Sequence, residues 1–343
     1  MPAKKVTILI PCYNEEQNLP LLYRHLQWLM EKCSNYEFEI LLINDGSRDR
    51  TLQVIRELHA SDSHISYLDL SRNFGKEAAM LAGFDFATGD CVVIMDADLQ
   101  DPAELIPEML SYWEQGYDDV YAKRTDRGKE SYLRKRLSLL YYHLLQKTTR
   151  LEILENVGDF RLLDRKCIEA LKQMREKERN TKALFCWIGF RKKEIDFERG
   201  NRAAGHSSWK FMQLLNLAIN GITSFTTAPL RIATVIGIIV SILSLTYMVY
   251  ILVKTLIWGD PVQGFPTLIT VILFLSGVQL LSLGIIGEYI GKVFHETKDR
   301  PIYIAREYQR GNDITAGSRS AWQAGPAPAQ ESPCDPHRPQ AEA

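Results

Sequence analysis

Short aliphatic or β-branched runs alternate with amphipathic stretches along the first third of the chain. The runs occupy residues 6–10, 38–43, 65–70 and 91–95. Runs of this kind are typical of strands buried on both faces of a sheet. The amphipathic stretches occupy residues 15–31, 49–60, 77–87 and 102–115. The alternation predicts an α/β fold with a doubly wound parallel sheet, in which ligands bind beyond the carboxyl ends of the strands.

Two much longer apolar segments follow Pro229. Residues 232–253 and 265–287 contain no Asp, Glu, Lys or Arg, and each exceeds the roughly 20 residues that cross a bilayer. We expect two transmembrane helices, because the short turn around residues 259–261 disfavours the alternative of two buried core helices. Basic residues precede the first segment and follow the second, so the positive-inside rule places both ends in the cytoplasm. These residues are Arg231, Lys292, Lys298, Arg300, Arg306 and Arg310.

Other parts of the chain have weaker patterns. An apolar stripe at helical spacing predicts an interfacial helix over residues 206–228, and residues 133–145 are a second candidate with basic side chains. Either could instead be a helix that faces the core. The tail is rich in Gly, Pro, Ala and Gln, which predicts disorder. The expected organisation is an α/β domain over 1–205, the interfacial helix over 206–228, the two spans within 229–291, a cytoplasmic juxtamembrane segment over 292–310, and the tail over 311–343.

Charge and cysteine content exclude several classes of protein. Lys and Arg number 41 and Asp and Glu number 42, so the net charge of −1 argues against a nucleic-acid binder. Six cysteines occur without short paired spacing, so we expect neither a zinc site nor a disulfide framework. The apolar run within the first ten residues is too short for a signal peptide. We therefore expect the first domain to remain in the cytoplasm.

Two carboxylates follow the fourth predicted strand in the segment that begins Asp96-Ala97-Asp98. Carboxylates at the end of a buried strand need a cationic partner. Mg²⁺ or Mn²⁺ bound to a diphosphate is one such partner, because these ions prefer hard oxygen ligands. The alternative is an acidic turn in which Asp101 caps a helix that begins at Pro102. Capping accounts for only one of the carboxylates.

Two other strand ends also carry polar groups. Residues 11–15 follow the first strand and residues 44–47 follow the second, while residues 72–76 add cations after the third. Each segment alone is consistent with an ordinary turn. Together they predict a nucleotide pocket in which Glu15 and Asp45 accept hydrogen bonds from the base or ribose.

These motifs resemble those of a known group. Residues 6–101 resemble the GT-A nucleotide-sugar domain of family 2 glycosyltransferases, with Asp96-Ala97-Asp98 as the DXD metal motif. Three further segments resemble those of polyisoprenyl-phosphate glycosyltransferases, most closely the bactoprenol glucosyl transferases that serve O-antigen glucosylation. These segments are Gly-Asp-Phe-Arg-Leu-Leu at 158–163, Arg-Ala-Ala-Gly-His-Ser-Ser-Trp at 202–209 and Gly-Glu-Tyr-Ile-Gly at 287–291. The resemblance covers about residues 5–305.

The resemblance implies roles for particular residues. The expected sets are Pro11, Tyr13, Glu15, Asp45 and Asp96 for the nucleotide; Asp96, Asp98 and Gln100 for the metal and diphosphate; Asp98, Asp159 and Arg202 for catalysis; and Arg202, Ser207, Ser208 and Lys210 for the lipid phosphate or diphosphate. Family members often carry Lys directly after the Ser. Here the cation is displaced to Lys210, so the group that contacts phosphate stays open.

The resemblance also implies a reaction. One sugar, glucose, would pass with inversion from its UDP donor to undecaprenyl phosphate on the cytoplasmic face of the bacterial inner membrane. The product would serve O-antigen or cell-envelope glycosylation, and the enzyme would be a multi-pass homo-tetramer. No Arg-Trp pair of the kind found in processive polysaccharide synthases occurs in the chain. The alternatives are another donor (UDP-galactose, a UDP-amino sugar or GDP-mannose) and a non-catalytic partner in lipid flipping.

The chemistry of this acceptor bears on Asp159. A phosphate monoester has its second pKa at about 6, so it is largely dianionic near pH 7 and has no proton for a base to remove. We therefore expect Asp159 to orient the sugar or a cation, although the resemblance places it at the position of a proposed base. A structural carboxylate paired with Arg161 or Arg165 is the alternative.

Overall fold

The computed structural model describes residues 3–124, 157–177, 179–197, 228–258 and 264–311. The chain divides into two compact units, one made of Met1–Asp98 with Arg300–Ala343 and the other of Leu99–Asp299. The strands are β1 (Lys5–Cys12), β2 (Glu37–Asn44), β3 (Ile65–Leu70), β4 (Cys91–Ile94), β5 (Asp119–Arg124), β6 (Val157–Asp164), β7 (Lys192–Phe197) and β8 (Ala305–Gln309). The helices are α1 (Leu19–Lys32), α2 (Thr51–Ser61), α3 (Lys76–Phe86), α4 (Ile106–Glu114), α5 (Arg165–Gln173), α6 (Thr181–Trp187), α7 (Ala228–Trp258) and α8 (Phe265–Thr297).

The first unit contains the predicted parallel sheet. Its strands lie in the order β4-β1-β2-β3-β8, and the first four are parallel. Cys12 is aligned with Asn44 and Asn44 with Asp69, so the carboxyl ends of β1, β2 and β3 meet at one edge. The prediction of parallel strands is confirmed for β1 to β4. The fifth strand, β8, was not predicted and pairs antiparallel with β3.

The packing of this unit follows from its sequence. The strands β2, β3 and β4 are buried along almost their whole length, as unbroken apolar runs require. Residues 78–84 of α3 are also all buried. A Cβ at Gly83 would lie 2.3 Å from the Leu9 side chain, so the missing side chain lets α3 approach β1 closely.

The second unit has a mixed arrangement. β5 pairs antiparallel with β6 and parallel with β7. The expectation of a wholly parallel sheet is therefore wrong here and at β8, and the described fold is α/β with mixed strand directions. The strands over residues 119–124, 157–164 and 192–197 were not predicted, because short segments with mixed polar residues give a weak period-two pattern.

Two long helices, α7 and α8, pack against each other in the second unit. They contain the segments 232–253 and 265–287 that were predicted to span a membrane. Among the described residues, one stretch, Phe274–Thr297, is long and apolar enough for a bilayer span. One span therefore has support from the structure, and the second stays a prediction.

Several predicted features lie outside the described residues. They are the helix over 206–228, apart from Ala228 at the start of α7, the candidate over 133–145 and, beyond Gly311, the tail. Residues 292–310 were expected to form a juxtamembrane segment, whereas α8 ends at Thr297 and β8 lies within that range.

A buried carboxylate ties β2 to its neighbours at the amino end of the sheet. Glu39 is only 3% exposed. Its Oε2 accepts hydrogen bonds from the hydroxyls of Thr7 at 2.6 Å and Thr88 at 2.7 Å, and from the Thr88 N–H at 3.1 Å. Burial alone would raise the pKa of Glu39, but these bonds and the nearby Lys5 outweigh burial and lower the pKa below 4.5.

This lowered pKa gives a pH-dependent prediction. A carboxyl whose pKa is lower in the folded state stabilises the fold above its ordinary pKa, and this stabilisation disappears as the pH falls through the folded value. Glu39→Gln should therefore lower stability by about 1–3 kcal/mol at pH 7, and by less near pH 4. Thermal unfolding of the detergent-solubilised protein at both pH values measures this. Glu37→Gln, at an exposed position of the same strand, is the control. An equal loss at both pH values would contradict the assignment.

Candidate active site

A cavity of about 260 Å³ lies at the carboxyl ends of β1, β2 and β4 in the first unit. Its position is the one expected for a ligand site in a parallel α/β sheet. Six predicted residues line it, namely Pro11, Tyr13, Glu15, Asp45, Asp96 and Asp98. Cys12, Asn73, Gly75, Lys76 and Ala97 complete the lining. The structure therefore brings together residues from four segments that are distant in sequence.

Asp45 organises the wall of the cavity. Its carboxylate accepts the backbone N–H of Phe74 at 2.7 Å and that of Gly75 at 2.9 Å, and its backbone oxygen accepts from the Asn73 amide at 3.2 Å. Burial raises the pKa of this carboxyl, and the two N–H donors limit the rise. Asp45 thus fixes the loop between β3 and α3, a role that the sequence did not indicate.

Gly46 permits this arrangement. Its φ of +62° lies in the left-handed region. A Cβ there would also lie 2.3 Å from the backbone carbonyl carbon of Arg72 and 2.4 Å from the backbone nitrogen of Asn73. Only glycine lets the turn after β2 approach the loop after β3 so closely.

Tyr13 and Glu15 lie on either side of Asn14, which has a φ of +58°. The Tyr13 side chain is 41% exposed. Glu15 is partly buried, and its Oε2 accepts from the Asn18 amide at 2.7 Å. Burial raises the pKa of Glu15, and the charges of Asp98 and Asp96 raise it further. The carboxylates of Glu15, Asp96 and Asp98 are therefore close enough to interact electrostatically.

A lysine lies beside the acidic pair of the predicted metal motif. Lys76 Nζ lies 2.5 Å from Asp96 Oδ1. Lys76 begins α3, directly after the loop that Asp45 anchors. The prediction that residues 72–76 bring cations to this edge of the sheet is confirmed for Lys76.

Backbone strain marks two of the predicted segments. Among described non-glycine residues, positive φ occurs at Asn14, at Leu99 and at Asp299. Leu99, with a φ of +61°, stands directly between Asp98 and Gln100, and strained residues cluster at functional sites. No sequence signal could have identified Leu99, because leucine rarely adopts this conformation. Gln100 is itself buried and belongs to the second unit.

Comparisons with known proteins agree with this geometry. The family model described as glycosyl transferase family 2 matches residues 7–172, and that of the GtrB C-terminal hairpin matches residues 228–293. CsbB of Bacillus subtilis strain 168 is 46% identical over 88% of this chain and 91% of its own length. The bactoprenol glucosyl transferase of Shigella phage SfII is 42% identical over 90% of this chain and 99% of its own. The chain belongs to glycosyl transferase family 2.

A solved structure is also similar to this family 2 glycosyltransferase. Glucosyl-3-phosphoglycerate synthase from Mycobacterium tuberculosis, in complex with UDP, matches with a TM-score of 0.43 and 16% identity. The match covers 65% of this chain and 79% of that chain. These values are too low for the likeness to bear on function.

In the second unit of this glycosyltransferase, Asp159 lies on β6 and is partly buried. The two arginines suggested as its structural partners form other ion pairs. Arg161 Nη1 lies 3.1 Å from Asp119 Oδ2, and both side chains are almost fully buried. Arg165 lies 3.5 Å from Glu169 on its own helix. Both interpretations of Asp159, as a positioning group and as a structural carboxylate, therefore stay predictions of the sequence.

The predicted lipid-phosphate residues lie outside the described residues. They are Arg202, Ser207, Ser208 and Lys210. Their roles stay predictions of the sequence.

Proposed function

We propose that this glycosyltransferase transfers one glucose from UDP-glucose to undecaprenyl phosphate at the cytoplasmic face of the bacterial inner membrane. The observation that carries the proposal is the presence in one chain of an acidic cavity at a parallel-sheet edge and a GtrB-type hairpin. Relatives named bactoprenol glucosyl transferase match at 42% identity over about 90% of the chain, which supports the choice of sugar and acceptor.

The cavity suits a uridine nucleotide. The exposed ring of Tyr13 offers a flat apolar surface for stacking against a base. Glu15 and Asp45 offer carboxylate oxygens that accept hydrogen bonds from base N–H or ribose hydroxyl groups. Pro11 and Asp96 complete the nucleotide set that we propose.

The acidic pair suits Mg²⁺ or Mn²⁺. Among the described residues, no group of three His, Cys, Asp or Glu side chains is arranged to hold a metal by itself. Asp96 and Asp98 do line the cavity, and their charges raise the pKa of Glu15. One or two carboxylates plus substrate phosphates are the usual protein site for Mg²⁺, so the residues fit the ion. When bound, the ion would neutralise charge on the departing diphosphate. Gln100 is proposed as a further contact.

The long helices suit an acceptor that stays in the bilayer. Exposed apolar side chains line both helices, which is unfavourable in water and typical of a membrane-facing surface. Examples are Val235, Ile238, Ile239 and Ile242 on α7, and Leu280, Leu281, Leu283 and Ile290 on α8. We propose that the hairpin crosses the membrane twice, and that Arg202, Ser207, Ser208 and Lys210 contact the lipid phosphate. A homo-tetramer and a role in O-antigen or envelope glycosylation follow from the resemblance alone.

The proposed reaction needs alignment more than proton transfer. The acceptor phosphate is dianionic near neutral pH, since its second pKa is about 6. Its oxygen attacks the anomeric carbon from the side opposite the UDP, so the configuration inverts. Catalysis would come from holding these atoms in line and from stabilising the departing UDP by cations such as Lys76 and Arg202.

A panel of radiolabelled donors tests the function. Membranes that contain the protein are incubated with undecaprenyl phosphate and UDP-glucose, UDP-galactose, a UDP-amino sugar or GDP-mannose. We expect label from UDP-glucose in the lipid fraction, with release of UDP. Label from another donor alone would overturn the choice of sugar. No transfer from any donor would favour a non-catalytic role in lipid flipping.

Asp98→Asn tests the metal assignment. The variant should lower transfer by at least about a hundredfold, because a carboxylate ligand is lost at the departing diphosphate. EDTA should abolish wild-type transfer, and Mg²⁺ or Mn²⁺ should restore it. Asp90→Asn, at an exposed position before β4, is the matched control and should keep wild-type activity. Full activity of the wild type in EDTA would contradict the assignment.

The variant Asp159→Asn distinguishes two roles of Asp159, that of a general base and that of a positioning group. If Asp159 positions the sugar or a cation, the variant should slow transfer by a similar factor at every pH from about 5.5 to 8, across the second phosphate pKa. If Asp159 is a general base, the variant should lose the most activity at low pH, where the acceptor phosphate is a monoanion. Asp196→Asn, at an exposed position of β7, is the control. A variant whose rate converges on the wild-type rate above pH 7 would show that Asp159 is a base.

A further inference from the structure

The strand β8 completes the first unit after the chain has passed through α8. It pairs antiparallel with β3, with Leu68 opposite Tyr308 and Asp69 opposite Glu307. The Ser71 N–H also donates to the Ile304 oxygen at 2.9 Å. The segment after the hairpin therefore lies against the strand whose following loop lines the cavity.

Asp69 is the buried end of an ion pair with this strand. Its side chain is 1% exposed, and Arg306 Nη1 lies 3.2 Å from its Oδ2. A buried carboxylate without a cation is strongly unfavourable, so Arg306 compensates the charge. The guanidinium itself is more than half exposed, and its Nη2 donates to the Ser71 oxygen at 2.7 Å.

The other oxygen of Asp69 fixes the end of β2. Asn44 Nδ2 donates to Asp69 Oδ1 at 2.7 Å. A carboxylate can only accept, so the Asn44 amide must turn its NH₂ group toward Asp69 and its oxygen away. That oxygen accepts the Ser47 N–H at 3.3 Å. The charge on Asp69 thus sets the orientation of the turn that contains Asp45 and Gly46.

Hydrogen bonds at Ser47 and Arg48 connect this turn to the loop after β1. The Ser47 hydroxyl accepts the N–H of Asn14 at 3.0 Å, and Asn14 Oδ1 accepts the N–H of Arg48 at 2.8 Å. Asn14 has the left-handed backbone that lies between Tyr13 and Glu15. The bonds across this turn hold a left-handed backbone conformation, which a residue other than glycine adopts only where the surrounding structure supports it.

We propose that Arg306 is a positioning residue for the nucleotide pocket, acting through Asp69, Asn44 and Ser47 on the Tyr13–Glu15 loop. Arg306 lies outside the predicted site residues and contacts none of the cavity lining in this series of bonds. The inference rests on the proposed uridine nucleotide site. It assigns to the segment after the membrane hairpin a part in donor binding.

UDP binding to the detergent-solubilised full chain tests the role. Arg306→Ala should raise the Kd of UDP about tenfold, because the buried Asp69 carboxylate loses the guanidinium that holds it in position beside Asn44. Arg56→Ala is the matched control. Arg56 is 2.6 Å from Glu307 on the same strand and is similarly exposed, so the control removes an equal charge and an ion pair to β8. It should leave the Kd unchanged.

A second variant separates positioning from a general loss of stability. Ser47→Ala should also raise the Kd about tenfold, because Asn14 loses its acceptor. If both residues act in one series, the double variant should show about the same tenfold effect, whereas independent sites would multiply to about a hundredfold.

The outcomes are distinct. The proposal is supported if Arg306→Ala weakens UDP binding, Arg56→Ala does not, and the double variant binds UDP no more weakly than either single variant. A wild-type Kd in folded Arg306→Ala, an equal loss in Arg56→Ala or a multiplied loss in the double variant overturns it. A wild-type protein that binds no UDP overturns the proposed function, and this inference with it.

Discussion

The concentration of negative charge at one edge of a parallel sheet is the constraint on which the site depends. Glu15, Asp45, Asp69, Asp96 and Asp98 all follow or end strands of the first unit, whose carboxyl ends meet at that edge. Each of these carboxylates is poorly solvated, so its charge needs a hydrogen-bond donor or a cation to stabilise it. Asp45 has two backbone N–H donors, Asp96 has Lys76, and Asp69 has Asn44 and Arg306. Glu15 accepts from the Asn18 amide, and burial together with the charges of Asp98 and Asp96 still raises its pKa.

These compensations also build the loops. The two N–H groups that donate to the Asp45 carboxylate belong to Phe74 and Gly75. The same hydrogen bonds therefore stabilise the carboxylate and shape the cavity wall. Gly46 makes the contact possible by omitting a side chain where the loops touch. The acidic residues are thus part of the local fold as well as candidates for ligand contact, and substitutions at Asp45 would change both.

Sequence reasoning predicted the part of the fold that depends on local pattern. The strands β1 to β4 and the polar segments after them follow from apolar runs and from the geometry of parallel sheets. The strand β8 could not be predicted in this way. The strand has only five residues, Ala-Arg-Glu-Tyr-Gln, and most of them are polar. The β3 residues with which it pairs lie about 240 positions earlier in the chain. Likewise, the pairing of Arg161 with Asp119 depends on the antiparallel contact between β6 and β5, which no local signal indicates.

The position of β8 has a consequence for how the first unit is completed. The unit is discontinuous, because about 200 residues, including both long helices, separate Asp98 from Arg300. Until β8 has been synthesised, β3 has an open edge and Asp69 lacks its guanidinium partner. The loop contacts that reach Asn14 through Asn44 and Ser47 then lack their anchor. The series of bonds that we propose from Arg306 to Asn14 can therefore be completed only after both apolar helices have been synthesised.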